Sequence, residues 1–154
     1  MFDAVSGSRY ALYVALCSMV GAAVSGLALQ HHYGHDSSSF CNINATFDCD
    51  VVNRSSYSRI AGVPVALAGL LAYLLMLGLA IFQRRKPETP ALLLFLSASG
   101  LLFSLYLTYV EAAVLRTWCV LCLTSLLSIA LIAILSGLRV RYDLKGTNLR
   151  GNGR

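Results

Sequence analysis

Residues 118–138 read WCVLCLTSLLSIALIAILSGL, an apolar run that begins with a Cys-x-x-Cys pair, Cys119 and Cys122. The run contains no Asp, Glu, Lys or Arg. About 20 residues, rising about 1.5 Å each, cross the roughly 30 Å hydrocarbon core of a bilayer, so the run predicts a transmembrane helix. Two thiols on one face of its first turn predict a redox pair whose electrons pass to an acceptor dissolved in lipid.

Three further apolar runs of similar length extend this prediction to the whole chain. The 154 residues are 57% hydrophobic and 12% charged, against about 25% charged in ordinary soluble domains. We therefore predict an all-α integral membrane protein, a single domain of residues 1–154 built as a four-transmembrane-helix bundle with a long external loop between the first two helices. The predicted helices span about 10–30, 63–82, 91–110 and 118–138, and a basic cytoplasmic tail follows at 139–154.

The first run has an alternative interpretation as a cleaved signal peptide. It is longer than the 7–15 residues, roughly, of a signal-peptide core. The segment before it contains Asp3 and a single basic residue, Arg9. Both features favour a retained membrane helix.

The basic residues predict the orientation of the bundle. Nine of the 12 fall on the side of the two termini and of the loop between the second and third helices. The remaining three are Arg54, Arg59 and Arg116. Because basic residues accumulate on the cytoplasmic side, the termini are predicted to be cytoplasmic. The net charge of +5 is thus a topology signal, and no nucleic-acid partner is predicted.

Four of the five cysteines fall on the external side in this topology. Cys41 and Cys49 lie in the long connection, roughly 31–62, and a short one spans roughly 111–117. An oxidising external compartment allows disulfides to persist. The fifth, Cys17, falls inside the first helix and is predicted to be a small buried hydrophobic residue.

The position of Cys119 and Cys122 at a helix N-terminus favours thiolate chemistry, because the free N–H groups and the dipole stabilise an anion. Cys119 is nearer the helix start, so we expect it to be the more exposed thiol and to receive electrons. Cys122, one turn deeper, is expected to deliver them. The alternatives are a structural disulfide or half of a zinc site, completed by Cys41, Cys49 and the His31-His32-x-x-His35 cluster.

Cys41 and Cys49 enclose a nine-residue loop. A static crosslink there would stabilise the fold by roughly 2.6 kcal/mol in the chain-entropy model. The other interpretation is a shuttle that exchanges disulfides between a soluble partner and Cys119. Cys49 is nearer the second helix, which favours Cys49 as the cysteine that meets Cys119 and Cys41 as the one that meets the partner, although the reverse order stays open.

Taken together, the motifs resemble the vitamin K epoxide reductase (VKOR) family, in particular its bacterial members, over about residues 10–138. The resemblance rests on a spaced pair, a following serine, and the motif of the last helix, with intervening residues in family-like order. They are Cys41-x7-Cys49, Ser55, Tyr57, Gly62-Val63-Pro64, Tyr106-Leu107-Thr108-Tyr109-Val110-Glu111 and Trp118-Cys119-Val120-Leu121-Cys122. The bacterial oxidoreductase DsbB is a rival, but there the Cys-x-x-Cys pair comes first and the spaced pair second.

The resemblance implies a thiol–quinone oxidoreductase that supports disulfide formation, with catalytic Cys41, Cys49, Cys119 and Cys122. Cys122 would face the quinone, of the ubiquinone, menaquinone or vitamin K type. Ser55, or Ser56 if the alignment slips by one, would hold the loop near the site. No metal is implied.

Many bacterial members carry a fused thioredoxin-like domain. The chain ends soon after the last helix, so we expect a separate thioredoxin-like or DsbA-like partner. We also expect a monomer in a bacterial inner membrane, with its cysteines on the periplasmic face. Leu126 stands where the vertebrate enzyme has its quinone-binding tyrosine, so quinone hydrogen-bond donors are not assigned. The alternative of another class is a non-enzymatic membrane protein with two structural disulfides or a metal site.

Overall fold

The computed structural model describes residues 7–33, 42–44, 47–49, 52, 55, 58–60, 62–82 and 88–151. The long helices in these ranges are α1 (Gly7–Tyr33), α2 (Val65–Phe82), α3 (Thr89–Val110) and α4 (Val120–Gly151). A π-helix, Glu111–Leu115, continues directly from α3. Each long helix contains a stretch that is long and apolar enough to cross a membrane. The predicted all-α architecture with four membrane spans is therefore confirmed.

The connection between α1 and α2 contains two short antiparallel ribbons. The first pairs β1 (Asn42–Asn44) with β2 (Phe47–Asp48), and the second pairs β3 (Arg59–Ile60) with β4 (Val63–Pro64). Gly62 turns the chain between β3 and β4 at φ 84°, a conformation that glycine adopts without a Cβ clash. Pro64 ends β4 and immediately precedes α2. The sequence had predicted that this helix begins at about residue 63, which would include Pro64 in its first turn.

The helices pack in the order α2–α1–α4–α3, and the contact between α2 and α3 that closes the ring is the sparsest. Side chains from all four helices form the core. Its buried members are Tyr10, Val14, Tyr73, Met76, Leu79, Ala80, Leu93, Ile129 and Ile132. Cys17 is a half-buried free thiol that packs against this core, in agreement with its predicted role.

Large apolar side chains cover the outside of the bundle. Leu102 is 71% exposed and Phe95 is 70% exposed, which suits a surface whose solvent is lipid. Inside, the Tyr10 hydroxyl and Ser136 Oγ lie 3.0 Å apart in a buried hydrogen bond that joins α1 to α4. Residues 139–151, predicted as a tail, continue α4 without a break.

α1 and α2 pack closely at Gly21. A Cβ placed on this glycine would overlap the ring of Tyr73. Small residues allow transmembrane helices to approach closely enough for backbone and side chain to pack directly. Gly21 therefore sets the position of Tyr73, whose ring also lines the cavity described below.

Candidate active site

The Cys119–Cys122 pair lies at the start of α4. Because the helix begins at Val120, Cys119 occupies the N-cap position, and its Sγ accepts the backbone N–H of Cys122 at 3.4 Å. Both cysteines are free thiols. The sulfur thus takes the place that a serine or aspartate oxygen has in an ordinary helix cap.

The two thiols differ in burial, in the order opposite to the predicted one. Cys119 is 0% exposed, whereas Cys122 is half-buried and lines a cavity. The expectation that Cys119 is the more exposed was wrong, because the segment between α1 and α2 covers the helix start. Cys119 belongs to a second buried cluster, which it forms with Ala28, Cys49, Val52 and Leu121.

Glu111 joins this pair from the end of α3. Its side chain is 1% exposed, and its Oε2 accepts the backbone N–H of Cys119 at 3.2 Å. One carboxylate oxygen of Glu111 and the two Sγ atoms all lie within 4.8 Å of one another. Among the described residues, its Oε1 has no hydrogen-bond partner. The site therefore contains a buried carboxyl that neither cysteine motif indicates.

The local backbone explains how Glu111 reaches the cysteines. The sequence predicted a short external connection at residues 111–117, but residues 111–115 are helical and continue α3, so the connection between the helices is shorter than predicted. The π-helix ends at Arg116, which is left-handed at φ 51° and ψ 30°. The N–H groups of Arg116 and Thr117 both donate to the Glu111 carbonyl, a closure resembling the glycine-ended caps of α-helices. The chain thus reverses its direction between Glu111 and Cys119, which brings the Glu111 carboxylate to the backbone N–H of Cys119.

Hydrogen bonding alters the acidity of Cys119, which lies between the candidate membrane spans Thr89–Leu115 and Val120–Lys145. The pKa of Cys119 is lowered, chiefly by the side-chain hydrogen bond from Cys122. Burial and the neighbouring Glu111 carboxylate oppose this, while backbone N–H groups assist it. Cys119 therefore forms a thiolate more readily than an ordinary cysteine, and the thiolate is the nucleophilic form of the side chain.

We expect this lowered pKa to be visible in the ultraviolet absorbance of the reduced protein. Since a lower pKa leaves more thiolate at a given pH, Cys119 should titrate at lower pH than an ordinary cysteine. This early rise in thiolate absorbance should disappear in Cys119→Ser and persist in Cys17→Ser. Equal absorbance in Cys119→Ser and the unmodified protein would contradict the assignment.

The segment between α1 and α2 places Cys49 beside the pair. Cys49 is 0% exposed, is disulfide-bonded, and shares its buried cluster with Cys119. Its sulfur is thus not a thiolate ligand for the zinc site weighed above. Cys41, Ser56 and Tyr57, also named from the sequence, lie outside the described residues.

Ser55 stabilises the segment that follows Cys49. Its hydroxyl donates to the Val52 carbonyl at 2.8 Å, and its backbone N–H donates to the same oxygen at 3.2 Å. Val52 belongs to the cluster that covers Cys119. Ser55 therefore helps to hold Val52 over Cys119. None of these hydrogen bonds joins Ser55 to a sulfur atom.

A cavity of about 300 Å³ extends from this site into the bundle. Cys122, Glu111 and Ser55 line it at the end nearest the start of α4, and Met76, Gly100 and Ile129 line it deeper among the helices. Its walls are mostly apolar, which suits a flat, hydrophobic ligand of modest size. Leu126 is half-buried and is not among the described lining residues.

Polar groups that the sequence did not single out also line the cavity. The Tyr73 hydroxyl donates to the Ser125 carbonyl at 2.8 Å and lies 2.9 Å from Ser125 Oγ. Ser104 contributes a further hydroxyl, and His32, named above as a candidate metal ligand, also lines the cavity. Glu111 had a sequence signal of its own, since an ionisable residue next to a membrane run is a candidate functional group.

Glu111, Cys119 and Cys122 carry donor atoms of the types that bind zinc. A structural zinc site uses four such ligands, and this group within the described residues supplies three. The arrangement accords better with a dithiol and a neighbouring acid than with a closed metal site.

Comparison with protein families agrees with this geometry. A reduced Cys-x-x-Cys pair at the mouth of a membrane helix, opening onto an apolar cavity, is the arrangement of a membrane redox protein. The model of the Vitamin K epoxide reductase family matches residues 12–136, well over half of the 154 residues. The match includes α2, α3, most of α1 and the first half of α4, together with both cysteine motifs. The chain is a member of the vitamin K epoxide reductase family, a family of multi-pass membrane oxidoreductases.

Proposed function

We propose that this protein is a thiol–quinone oxidoreductase that oxidises a separate thioredoxin-like protein and reduces a membrane quinone. One observation carries the proposal. The reduced Cys119–Cys122 pair has one thiol against the buried, disulfide-bonded Cys49 and the other on an apolar cavity. Such a pair connects an external disulfide to a ligand within the bundle.

The cavity fits the acceptor. A quinone is a flat, apolar molecule that takes two electrons and two protons, and pockets for ligands of that size begin at about 300 Å³. Cys122 provides a thiol at the cavity wall, and Tyr73, Ser104 and Ser125 provide hydroxyl groups. These residues would bind and orient the ring, while the apolar walls exclude water.

Access from the bilayer is supported by the gap between α2 and α3. Ala68 and Ala72 of α2 line the cavity and are exposed residues. The contact between α2 and α3 is the sparsest between neighbouring helices. A lipid-soluble quinone would therefore enter sideways between these helices without crossing the aqueous phase.

Electron transfer from the external side would proceed by disulfide exchange. A partner dithiol reduces the Cys41–Cys49 disulfide and becomes a disulfide itself. Cys49 then attacks the oxidised Cys119–Cys122 pair at Cys119, Cys122 leaves, and Cys41 resolves the mixed disulfide. The loop disulfide is restored, and the pair holds two electrons and two protons. In the last step the Cys119–Cys122 pair re-forms its disulfide, and its two electrons and two protons pass to the quinone.

The direction of flow follows from redox potentials. A DsbA-type dithiol has a potential near −120 mV, so it is reoxidised only by a more oxidising acceptor, and a membrane quinone meets that requirement. The distribution of basic residues favours a position of the cysteine pairs outside the cytoplasm, where such partners act. We therefore propose a bacterial inner-membrane protein whose active site faces the periplasm.

A turnover assay tests this function. Purified protein is mixed with reduced DsbA-like protein and with ubiquinone, menaquinone or vitamin K-type quinone in turn, and quinol formation is followed by absorbance. We expect at least one quinone to be reduced, with one partner disulfide formed per quinol. If no quinone is reduced by protein that retains its free Cys119 and Cys122 thiols, the proposed thiol–quinone activity is wrong. Vitamin K epoxide in the same assay determines whether it is also a substrate.

A further inference from the structure

Glu111 is the one acidic side chain within the candidate membrane spans Arg9–Gln30, Val65–Phe82 and Thr89–Leu115. It is almost fully buried, and it lines the cavity. Burying an ionised carboxylate is costly unless its oxygens are fully paired. Here Oε2 has one backbone donor, and Oε1 has no partner among the described residues. Ionisable groups at such positions commonly mark proton pathways.

The surroundings of Glu111 are those of a proton acceptor for the thiols. Its carboxylate interacts with the Cys122 side chain, and it lies within 4.8 Å of both sulfurs. No basic side chain forms an ion pair with it among the described residues. The carboxyl is therefore able to gain and lose a proton without breaking a salt bridge.

On the basis of the proposed quinone reduction, we propose that Glu111 carries the protons of Cys122 and Cys119 to the quinone bound in the cavity. The need for such a group is stoichiometric. Forming the Cys119–Cys122 disulfide releases two electrons and two protons, and reducing a quinone to a quinol consumes the same number. The apolar cavity walls keep water away from the reacting atoms, so the protons require a protein group.

The proton transfers balance with Glu111 unchanged at the end. The carboxylate takes the Cys122 proton as that thiol becomes a nucleophile, and it gives this proton to one quinone oxygen. It then takes the Cys119 proton as the disulfide closes, and it gives that proton to the second oxygen. Glu111 thus acts as general base and general acid in turn, a role that contributes about 10²–10⁴-fold to a rate.

Two substitutions separate this role from a purely structural one. Glu111→Gln keeps the shape and an oxygen that can accept the Cys119 N–H, but it cannot carry a proton. Glu111→Asp keeps the acid on a shorter side chain. We expect Gln to lower quinone reduction by about 10²-fold or more and Asp to lower it less. A residue that only holds the Cys119 backbone would give the opposite order, with Gln close to the unmodified protein.

A second readout does not depend on quinone. Infrared difference spectra between the disulfide and dithiol forms of the quinone-free protein should show a band of the Glu111 carboxyl group, because the two S–H groups within 4.8 Å of it are replaced by a disulfide. The band should be absent in Glu111→Gln and shifted in Glu111→Asp. The spectrum of Glu88→Gln, which changes an exposed glutamate at the start of α3, should match that of the unmodified protein.

The outcomes distinguish this proposal from the function on which it rests. If the unmodified protein reduces quinone and Glu111→Gln does so within twofold of its rate, the proton role is wrong and the oxidoreductase function stands. If no redox-linked carboxyl band appears, the role is likewise overturned. Failure of the unmodified protein to reduce any quinone overturns the proposed function, whereas the infrared band still reports whether Glu111 is coupled to the cysteines.

Discussion

Replacement of Cys122 by alanine is expected to abolish quinone reduction while the protein remains folded and inserted. The thiol lines the cavity and is the proposed donor to the quinone, so its loss removes the reacting atom itself. Loss of a nucleophile of this kind lowers turnover by at least about 10³-fold. Quinol absorbance measures the rate, and the yield of detergent-solubilised monodisperse protein measures folding.

Cys17→Ala is the matched control, since Cys17 is also a half-buried thiol but lies outside the site. It should turn over at close to the unmodified rate. Residual activity in Cys122→Ala above the rate without protein would show that another group donates to the quinone.

Double variants that also carry Cys122→Ala test which loop cysteine meets Cys119. In Cys41→Ala/Cys122→Ala the thiols of Cys49 and Cys119 remain, and because both belong to one buried cluster they should form a disulfide readily. Cys49→Ala/Cys122→Ala should crosslink more slowly. Mass spectrometry of proteolytic fragments run without reductant detects the bond. Faster crosslinking in the second variant would reverse the proposed order.

The second large effect is expected from Gly21→Ala. The added methyl group would overlap the Tyr73 ring, so α1 and α2 would have to separate or the ring would have to move into the cavity. Overpacking of this kind costs about 1–3 kcal/mol of the free energy of unfolding. Unfolding of the detergent-solubilised protein on addition of denaturing surfactant measures the loss.

Gly26→Ala is the control for this prediction. Both glycines lie in α1, and nothing lies within 4 Å of a Cβ at Gly26. Both substitutions gain about 1 kcal/mol of helix propensity, so the difference between them isolates the contact with Tyr73. Equal stability of the two variants would show that α1 and α2 are not packed as closely as described. Gly21→Ala should also weaken quinone binding, because Tyr73 lines the cavity.

Much of the fold was predictable because its signals are local. A membrane span depends on about 20 consecutive apolar residues, and these are read without knowledge of their neighbours in space. The relation between Cys119 and Cys122 is equally local, since residues three apart share a helical face. The family resemblance rests on motifs of the same kind, and the family comparison confirms it.

The position of Glu111 shows where such local signals fail. The apolar run ends at Val110, and a charged residue after it indicates a loop in water. The chain instead continues as a π-helix, which turns the carboxyl inward beneath the start of α4. The free energy that holds it there comes from contacts with residues later in the chain, above all the Cys119 N–H, and a hydropathy pattern does not record them.

The sequence by itself determined that four helices cross a membrane, that the chain is a member of this redox family, and which cysteines form its two motifs. Only the tertiary structure decided that Cys119 is the covered thiol and Cys122 the one on the cavity, and that Glu111 completes the site. The physical reason is the range of the interactions. Helix periodicity and hydropathy act within one segment, whereas burial of a thiol depends on the separate segment, around Cys49 and Val52, that folds over it.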